Sequence, residues 1–267
     1  MSLIETFRRT ATAKGRAQSG LFGVEGVRLV ERGVRAEAEI VQILTTETFA
    51  DVSTRHAALL ADIHARQIPT TIIPSQTMRQ LIQGRQLGDI LAIVRQPAPP
   101  DLGQLAQETA CLLLAAVDVV DPGNVGAMVR TAHALGGTAV ITVGVSDAYH
   151  PKAARTSMGS LFKLPILYYE NRVAMLAAFK QHEIQMVATV ATGGRPLAQA
   201  KLPRQKLAVL MGNEYWGLED EVLTAVQHKV TIPMASDIDS FSVNAAAAIA
   251  LYEIGRSRHS GAEPMRS

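Results

Sequence analysis

Short apolar runs alternate with longer segments through the second half of the chain, and this alternation is the feature that most constrains the fold. The runs are CLLLAAVDV, TAVITVG, LPILYY, QMVATVA, LAVLMG and KVTIP. Apolar residues at successive positions indicate strands buried on both faces, as in a parallel sheet covered by helices. Helical candidates among the intervening and following segments are VGAMVRTAHAL, NRVAMLAAFKQ and VNAAAAIALYEIGR. The sequence therefore predicts an α/β fold.

The composition agrees with a packed core of small aliphatic residues. Apolar residues make up 48% of the 267 residues and aromatic residues only 4%. No apolar run approaches the roughly 18–20 residues of a membrane span, and the basic start of the chain has no apolar run behind it, unlike a secretory signal. The single cysteine, Cys111, falls in an apolar run and is interpreted as a core residue. We therefore expect a soluble, cytoplasmic protein.

A proline-rich stretch divides the chain. QPAPPDLGQ begins at residue 96, and we assign residues 96–108 as a linker. Residues 1–95 would form a small α/β domain, because helical and strand patterns alternate there as well. Residues 109–258 would form the second domain, and the polar residues 259–267 a flexible tail.

Glycine and polar residues collect in three loops after predicted strands: DPGNVG, GNEYWG and PMASDIDSFSVN. Ligands of open parallel sheets bind at the carboxyl ends of the strands. Three such loops therefore predict one composite site. The chain has neither the dinucleotide fingerprint nor the phosphate-binding loop of nucleotide-binding proteins, so an ordinary dinucleotide or ATP site is not supported.

The first loop offers a turn at Pro122 and Gly123, a helix cap at Asn124, and Arg130 further along the helix. An arginine rarely gives up its proton, but it can bind a phosphate or stabilise a developing oxyanion. The alternative is that Asn124 is only a cap and Arg130 only a surface charge.

The second and third loops are equally ambiguous when taken alone. Gly212 and Gly217 permit tight turns, and Glu214 follows close to a strand end, while the acidic residues 219–221 would favour the start of a helix. In the third loop, Ser240, Ser242 and Asn244 have polar side chains that could cap the following helix. That helix is rich in alanine, which allows close packing against a neighbour.

Taken in order, the motifs NVGAMVRTAHALG, GNEYWGL and IPMASDIDSFSVNAAAAIALYE resemble the SpoU (TrmH-like) family of RNA ribose 2'-O-methyltransferases, in the SPOUT superfamily. The resemblance covers about residues 109–256. FGVEGVRLVERGV, near the start, is similar to the substrate-binding domain that often precedes this catalytic domain. The resemblance implies a trefoil-knotted parallel-sheet domain, S-adenosylmethionine as cofactor, and a homodimer.

The resemblance also implies roles for individual residues. Arg130, Asn124, Glu214 and Ser240 match the functional residues of the motifs, with Arg130 activating the ribose 2'-hydroxyl. The implied cofactor-binding residues are Gly212, Gly217, Leu218, Ile232, Met234 and Phe241. No metal is expected.

Three positions depart from the family pattern. Phe241 stands where most members have leucine, and Ser242 and Asn244 are exchanged relative to the usual order. Both members of the exchanged pair offer hydrogen bonds, but the amide has a fixed donor and acceptor whereas the hydroxyl rotates. The exchange leaves the roles of both residues open.

The substrate is expected to be structured RNA, with ribosomal RNA favoured over transfer RNA because an N-terminal substrate domain is common among ribosomal RNA modifiers. Basic residues of the first segment (Arg8, Arg9, Lys14 and Arg16), together with Lys152, Arg155 and Lys163, could contact phosphates or could be solvated surface charges. Two alternatives stay open at this point. One is a non-catalytic RNA-binding protein with the same fold, and the other is a different α/β enzyme that shares only the strand-end loops.

Overall fold

The computed structural model describes residues 2–82, 88–108 and 110–259. The chain forms two compact units. The first unit comprises Met1–Ala98 and Tyr149–Lys163, and the second comprises Pro99–Ala148 and Leu164–Ser267. All but the first residue of the predicted tail, 259–267, lies outside the described residues.

Helices and strands alternate along the chain. The helices are α1 (Leu3–Thr10), α2 (Ala13–Ser19), α3 (Val27–Arg35), α4 (Thr54–Ala65), α5 (Ser75–Leu81), α6 (Leu102–Leu105), α7 (Pro122–Ala134), α8 (Pro151–Thr156), α9 (Arg172–Gln181), α10 (Asp220–Ala225) and α11 (Val243–His259). The strands are β1 (Leu21–Glu25), β2 (Ile40–Thr45), β3 (Thr70–Ile72), β4 (Ile90–Arg95), β5 (Leu112–Val117), β6 (Ala139–Val143), β7 (Ile166–Tyr169), β8 (Gln185–Thr189), β9 (Arg195–Pro196), β10 (Leu207–Met211) and β11 (His228–Thr231). Short 3-10 helices cover Ala50–Val52, Ser160–Phe162 and Leu197–Gln199.

The first unit is built on a mixed sheet of four strands in the order β1-β4-β2-β3. β4 pairs antiparallel with β1 and β2, whereas β2 and β3 are parallel. Apolar residues of α3, such as Val30 and Val34, are buried as its helical stripe predicts. The small α/β domain expected from the alternation of patterns is therefore present.

The segment Tyr149–Lys163 belongs to the first unit, although the sequence division assigns it to the second domain. Its helix α8 packs on β1, and the Phe162 ring would lie 3.3 Å from a Cβ added at Gly33. Arg155 donates to the buried carboxylate of Glu25, with Nη1 3.0 Å from Oε2. Local sequence cannot show which sheet such a segment joins, because its apolar residues would suit either core.

Two of the basic residues expected at an RNA surface are engaged inside the first unit instead. Arg155 forms the ion pair with Glu25, and Arg16 is buried and donates from Nη1 to the carbonyl of Thr10 at 2.7 Å. Arg16 is a buried cation that needs such a partner, and Arg155 supplies the partner that the buried carboxylate of Glu25 needs. The structure therefore favours a structural role for these two arginines.

The second unit confirms the predicted parallel sheet. Its seven strands run in the order β7-β6-β5-β10-β8-β11-β9, and every neighbouring pair is parallel. The six apolar runs supply six of these strands. The seventh, β9, is a two-residue exposed edge strand without an apolar run to reveal it.

Part of the predicted linker, 96–108, is folded into the second unit. Asp101 caps α6 by accepting the backbone N–H of Gly103 at 2.6 Å, and Leu102 and Leu105 are buried in the core beneath the sheet. The prolines before this helix dominate the sequence pattern and hide the short apolar turn that follows.

The strand order reverses between β5 and β10. In the sheet, β6 and β7 lie on one side of β5, whereas β8, β11 and β9 lie on the far side of β10. Such a reversal opens a crevice at the carboxyl ends of the two central strands. The loops after β5 and β10, which carry the first and second motifs, begin at this crevice.

The alanine-rich helix α11 packs against α7 and also contacts β10 and the 3-10 helix Leu197–Gln199. Ala247 and Ala250 are fully buried, as expected for a helix whose small side chains allow a close approach. No helix in the described part of the chain has both the length and the apolar character that crossing a membrane requires.

Candidate active site

The first motif enters α7 through a cap that differs from the predicted one. The helix begins one residue after Asp121, whose carboxylate accepts the backbone N–H of Gly123 at 2.7 Å, and Pro122 occupies the first turn. Asn124 lies inside the first turn and is not the cap. Its side chain is therefore available for another contact.

Asn124 uses that freedom to bind Glu214 of the second motif. Its Nδ2 donates to Oε1 of Glu214 at 2.9 Å. The same carboxylate accepts the backbone N–H groups of Val120 at 3.0 Å and Asp121 at 3.1 Å. Glu214 thus joins the loops that follow the two central strands of the sheet. The alternative that Asn124 is only a helix cap does not account for this bond.

These contacts determine the ionisation of Glu214. Burial alone would raise the pKa of its carboxyl group, but hydrogen bonds from Asn124 and from the backbone N–H groups of Val120 and Asp121 hold the pKa below its ordinary value. The group is therefore a carboxylate at neutral pH. It acts as an acceptor that orients Asn124.

The second motif folds back on itself in a tight turn. Asn213 and Gly217 exchange two backbone hydrogen bonds of 3.0 Å, and Gly217 has a φ of 72°. A Cβ at Gly212 would lie 2.3 Å from the carbonyl carbon of Gly217, so only glycine fits there. The acidic trio at 219–221 lies at the start of α10, as the structural interpretation predicts.

One cavity of about 690 Å³ at the carboxyl ends of the strands gathers nine of the ten predicted site residues. These residues do not belong to one helix or strand, and they come from all three motifs. The nine are Asn124, Gly212, Glu214, Gly217, Leu218, Ile232, Met234, Ser240 and Phe241. The three loops therefore line a single cavity in the second unit, and the roles of these residues stay predictions.

The third motif forms an exposed wall of this cavity. Ser240, Phe241 and Ser242 line it, and all three are exposed. Asn244 has a different position, because its Oδ1 accepts the hydroxyl of Thr131 on α7 at 3.1 Å. The exchange of Ser and Asn thus puts the hydroxyl of Ser242 in the cavity lining and uses the amide of Asn244 to join α11 to α7.

Arg130 is the one predicted site residue that the structure does not bring to the others. It is exposed on α7 and absent from the cavity lining. Within the described residues its guanidinium has no hydrogen bond or ion pair. A single chain therefore leaves this cation outside the cavity.

The end of β8 and the residues after it contribute a part of the cavity lining that sequence reasoning missed. Thr189, Val190, Ala191 and Thr192 line the cavity. The hydroxyl oxygen of Thr189 is buried and has no hydrogen-bond partner. In the sequence, the only indication of this part of the site is a polar, glycine-containing segment after QMVATV. Such a segment looks the same as an ordinary loop. A buried hydroxyl without a partner is costly, so it is a candidate contact for a ligand.

The charged side chains that line the cavity in the described chain are Glu214 and Asp239, and both are acidic. Apolar walls come from residues such as Met211, Leu218 and Ile232. Such a lining suits a ligand with an apolar or aromatic body and a positive charge.

Comparison with known proteins assigns the family. The SpoU rRNA Methylase family matches residues 111–252, more than half of the chain. A 23S rRNA (adenosine(1067)-2'-O)-methyltransferase of Streptomyces azureus is 29% identical over 86% of this chain and 84% of its own length. A 23S rRNA (guanosine-2'-O-)-methyltransferase of Pasteurella multocida is 32% identical over 75% of this chain and 84% of its own length.

Among solved structures, the SpoU methyltransferase AviRb from Streptomyces viridochromogenes, in complex with the cofactor AdoMet, superposes with a TM-score of 0.86. It is 26% identical, and the superposition covers 98% of this chain and 99% of that one. The likeness therefore includes the N-terminal unit as well as the site-bearing unit. The chain belongs to the SpoU rRNA methylase family.

Proposed function

We propose that the protein transfers a methyl group from S-adenosylmethionine to a ribose 2'-hydroxyl of ribosomal RNA. The observation that carries the proposal is the single cavity in which residues of all three motifs meet. Family membership and the relatives' printed activities support the same reaction. A non-catalytic RNA-binding role is less well supported, because a surface for RNA alone would not need the Glu214 carboxylate held at the cavity by Asn124 and by the backbone N–H groups of Val120 and Asp121.

The cavity fits S-adenosylmethionine. Gly212 allows the turn of the second motif to fold tightly beside the cavity, and Leu218, Ile232 and Met234 offer apolar contacts for an adenosine. The free hydroxyl of Thr189 offers a hydrogen bond. Glu214 and Asp239 favour the ligand's positive charges. When bound, the cofactor supplies an activated methyl group on a sulfonium.

The protein's own contribution is alignment and electrostatics. We propose that Arg130 activates the 2'-hydroxyl by stabilising the negative charge that grows on its oxygen. Asn124, oriented by Glu214, and Ser240 would position the ribose. Alignment of the acceptor oxygen with the methyl group accounts for a large part of such catalysis, because proximity removes an entropic cost.

We propose that a homodimer completes the site. The support is the position of Arg130, which is exposed on α7 and lies outside the cavity lining of its own chain. The neighbouring helix α11 exposes Ile249 and Tyr252, which a second copy could cover. In a symmetric pair, each cavity would receive the guanidinium from the other chain.

Complementation tests this arrangement. Chains with Arg130→Ala and chains with Gly212→Ala would be mixed under conditions that exchange subunits. If Arg130 acts across the dimer, half of the dimers regain one of two sites, or about a quarter of wild-type activity. No recovery would mean that Arg130 acts within its own chain.

We also propose that the C-terminal chain is threaded as the family's trefoil knot. The contacts of α11 with α7, β10 and the 3-10 helix Leu197–Gln199 support this threading, because they bring the last helix onto three elements that lie much earlier in the chain. The proposed location is the cytoplasm, where ribosomal RNA is modified.

The test of the function is transfer of labelled methyl from S-adenosylmethionine to separated ribosomal and transfer RNA of a host lacking the protein. We expect label in ribosomal RNA with the wild type and a loss of about 10²–10³-fold with Arg130→Ala. Arg204→Ala, an exposed arginine outside the cavity lining, is the matched control. Label in transfer RNA alone would show that transfer RNA, and not ribosomal RNA, is the substrate.

A further inference from the structure

Two aromatic side chains stand exposed at the edge of the cavity. Tyr215 is 83% exposed and Trp216 is 65% exposed, and both belong to the cavity lining. Aromatic residues make up only 4% of the chain, and Trp216 is its single tryptophan. Large exposed aromatic rings beside a binding cavity indicate a contact surface for a ligand.

The backbone holds these rings in a fixed place. They occupy the middle of the turn closed by the paired hydrogen bonds of Asn213 and Gly217. The side chain of Asn213 adds two more bonds, accepting the N–H of Tyr215 at 2.8 Å and donating to the carbonyl of Asp118 at 2.9 Å. The rings therefore project from a rigid support, which lowers the entropic cost of binding.

The rings do not stack on each other. Their centroids are 6.0 Å apart and their planes are inclined at 34°. Together with their high exposure, this tilt leaves ring faces open to solvent. An open aromatic face is a surface on which a planar ring can stack.

The charge of the site selects the kind of group that can stack there. The cavity's charged lining residues in the described chain, Glu214 and Asp239, are both acidic. A phosphate would be repelled at this edge, whereas the face of a nucleobase carries no net charge. RNA recognition commonly uses unpaired bases that leave their helix and stack on aromatic side chains.

We propose that Tyr215 and Trp216 form a stacking platform for an unpaired base of the RNA substrate, next to the ribose that is methylated. The proposal rests on the proposed function, because the platform is placed beside the ribose that this function would methylate. The platform would restrict methylation to loops and bulges, since bases inside a duplex cannot reach it.

The sole tryptophan makes a direct test possible. Trp216 fluorescence would be followed while S-adenosylhomocysteine and an unmodified 23S ribosomal RNA transcript are titrated separately. We expect quenching by the RNA, because stacking on a base quenches indole emission. A control chain combines Trp216→Phe with Tyr168→Trp, an exposed position outside the cavity lining, and should show little quenching.

Substitution separates stacking from a structural role. Trp216→Ala should raise the KM for RNA about 5- to 100-fold, a larger change than in its affinity for S-adenosylhomocysteine, and Trp216→Phe should stay within about 3-fold of wild type because it keeps an aromatic face. The same ordering is expected for Tyr215→Ala and Tyr215→Phe.

Three results would overturn the platform. They are quenching by S-adenosylhomocysteine but not by RNA, a wild-type emission already typical of buried indole and insensitive to RNA, and an unchanged KM for RNA in Trp216→Ala. If wild type methylates RNA and the platform variants do so equally well, only the platform fails. If wild type methylates no RNA, the proposed function fails with it.

Discussion

Two of the loops that line the cavity differ in how they are held. The second-motif turn, residues 212–218, is closed by its own backbone bonds and joined to the first motif through Glu214. The third-motif arm, residues 233–242, is largely exposed. Its backbone bond from the N–H of Ile238 to the carbonyl of Ala235 measures 3.2 Å. One wall of the site is therefore preformed, and the other lacks comparable support.

This difference indicates how the site handles its ligands. A preformed wall contributes orientation without an ordering cost, while a loosely held arm can admit a bulky cofactor and then order over it. Glu214 and the proposed platform residues Tyr215 and Trp216 lie on the rigid side. Ser240 and Phe241 lie on the side that we expect to order on binding.

The largest effect is expected from a substitution in the second-motif turn, where the backbone is too close to accept a side chain. Gly212→Ala places a Cβ 2.3 Å from the carbonyl carbon of Gly217, so the turn must shift. We expect the affinity for S-adenosylmethionine to fall about 100-fold or more, from a strain of about 3 kcal/mol. Isothermal titration calorimetry measures this affinity. Gly255→Ala, where the added Cβ meets nothing closer than 4.0 Å, should bind normally, and normal binding by Gly212→Ala would show that the turn is not rigid.

The next effect concerns the carboxylate between the two loops. Glu214→Gln replaces an acceptor of several N–H groups by a side chain that is half donor, so we expect a loss of about 1–3 kcal/mol of unfolding free energy at neutral pH. Because folding lowers the pKa of Glu214, its contribution is present above its ordinary pKa of about 4.3 and disappears as pH falls through the folded value.

Urea denaturation of wild type and Glu214→Gln at a series of pH values checks this prediction. The difference in unfolding free energy should be largest near neutrality and should vanish in acid. A difference that stays constant across the whole pH range would mean that the charge of Glu214 has no part in holding the loops together.

The loose wall gives a third prediction. Hydrogen exchange of backbone amides in the arm, residues 233–242, should slow by about 10-fold when S-adenosylmethionine binds, whereas amides of the turn, residues 212–218, should change less because they are already bonded. Mass spectrometry of exchanged peptides gives both values. Equal protection of the two loops would remove the distinction between them.

The smallest effect tests the exchanged pair of the third motif. Thr131→Val and Asn244→Ala, singly and together, should show a coupling of about 0.5–1.5 kcal/mol in unfolding free energy, because the hydroxyl donates to the amide oxygen. Ser242→Ala should be nearly additive with Thr131→Val. Zero coupling between Thr131 and Asn244 would show that the exchange has no role in joining α11 to α7.

Sequence patterns predicted what depends on local burial. The strand β5 is buried at all six positions and was evident from its unbroken apolar run. The two-residue strand β9 and the four-residue helix α6 were missed because such short elements have no periodicity. The membership of Tyr149–Lys163 in the first unit depends on tertiary packing that no local pattern encodes.

The same limit applies to the site. The motif order identified nine residues that line one cavity, and their roles stay predictions. Thr189 escaped notice because an orphaned hydroxyl exists only once the fold buries it. The cap at Asp121 instead of Asn124 follows from a choice between two good capping residues, which three-dimensional contacts with Glu214 decide.

The central claim is that this cavity directs a methyl group to ribose oxygen in ribosomal RNA. The most direct measurement is nucleoside mass spectrometry of 23S ribosomal RNA from a host lacking the protein, after incubation with S-adenosylmethionine and wild-type or Arg130→Ala protein. The account predicts one new 2'-O-methylated nucleoside with the wild type, formed about 10²–10³-fold more slowly with the variant. A methyl group on a base, or the same ribose product formed equally fast with both proteins, would contradict it.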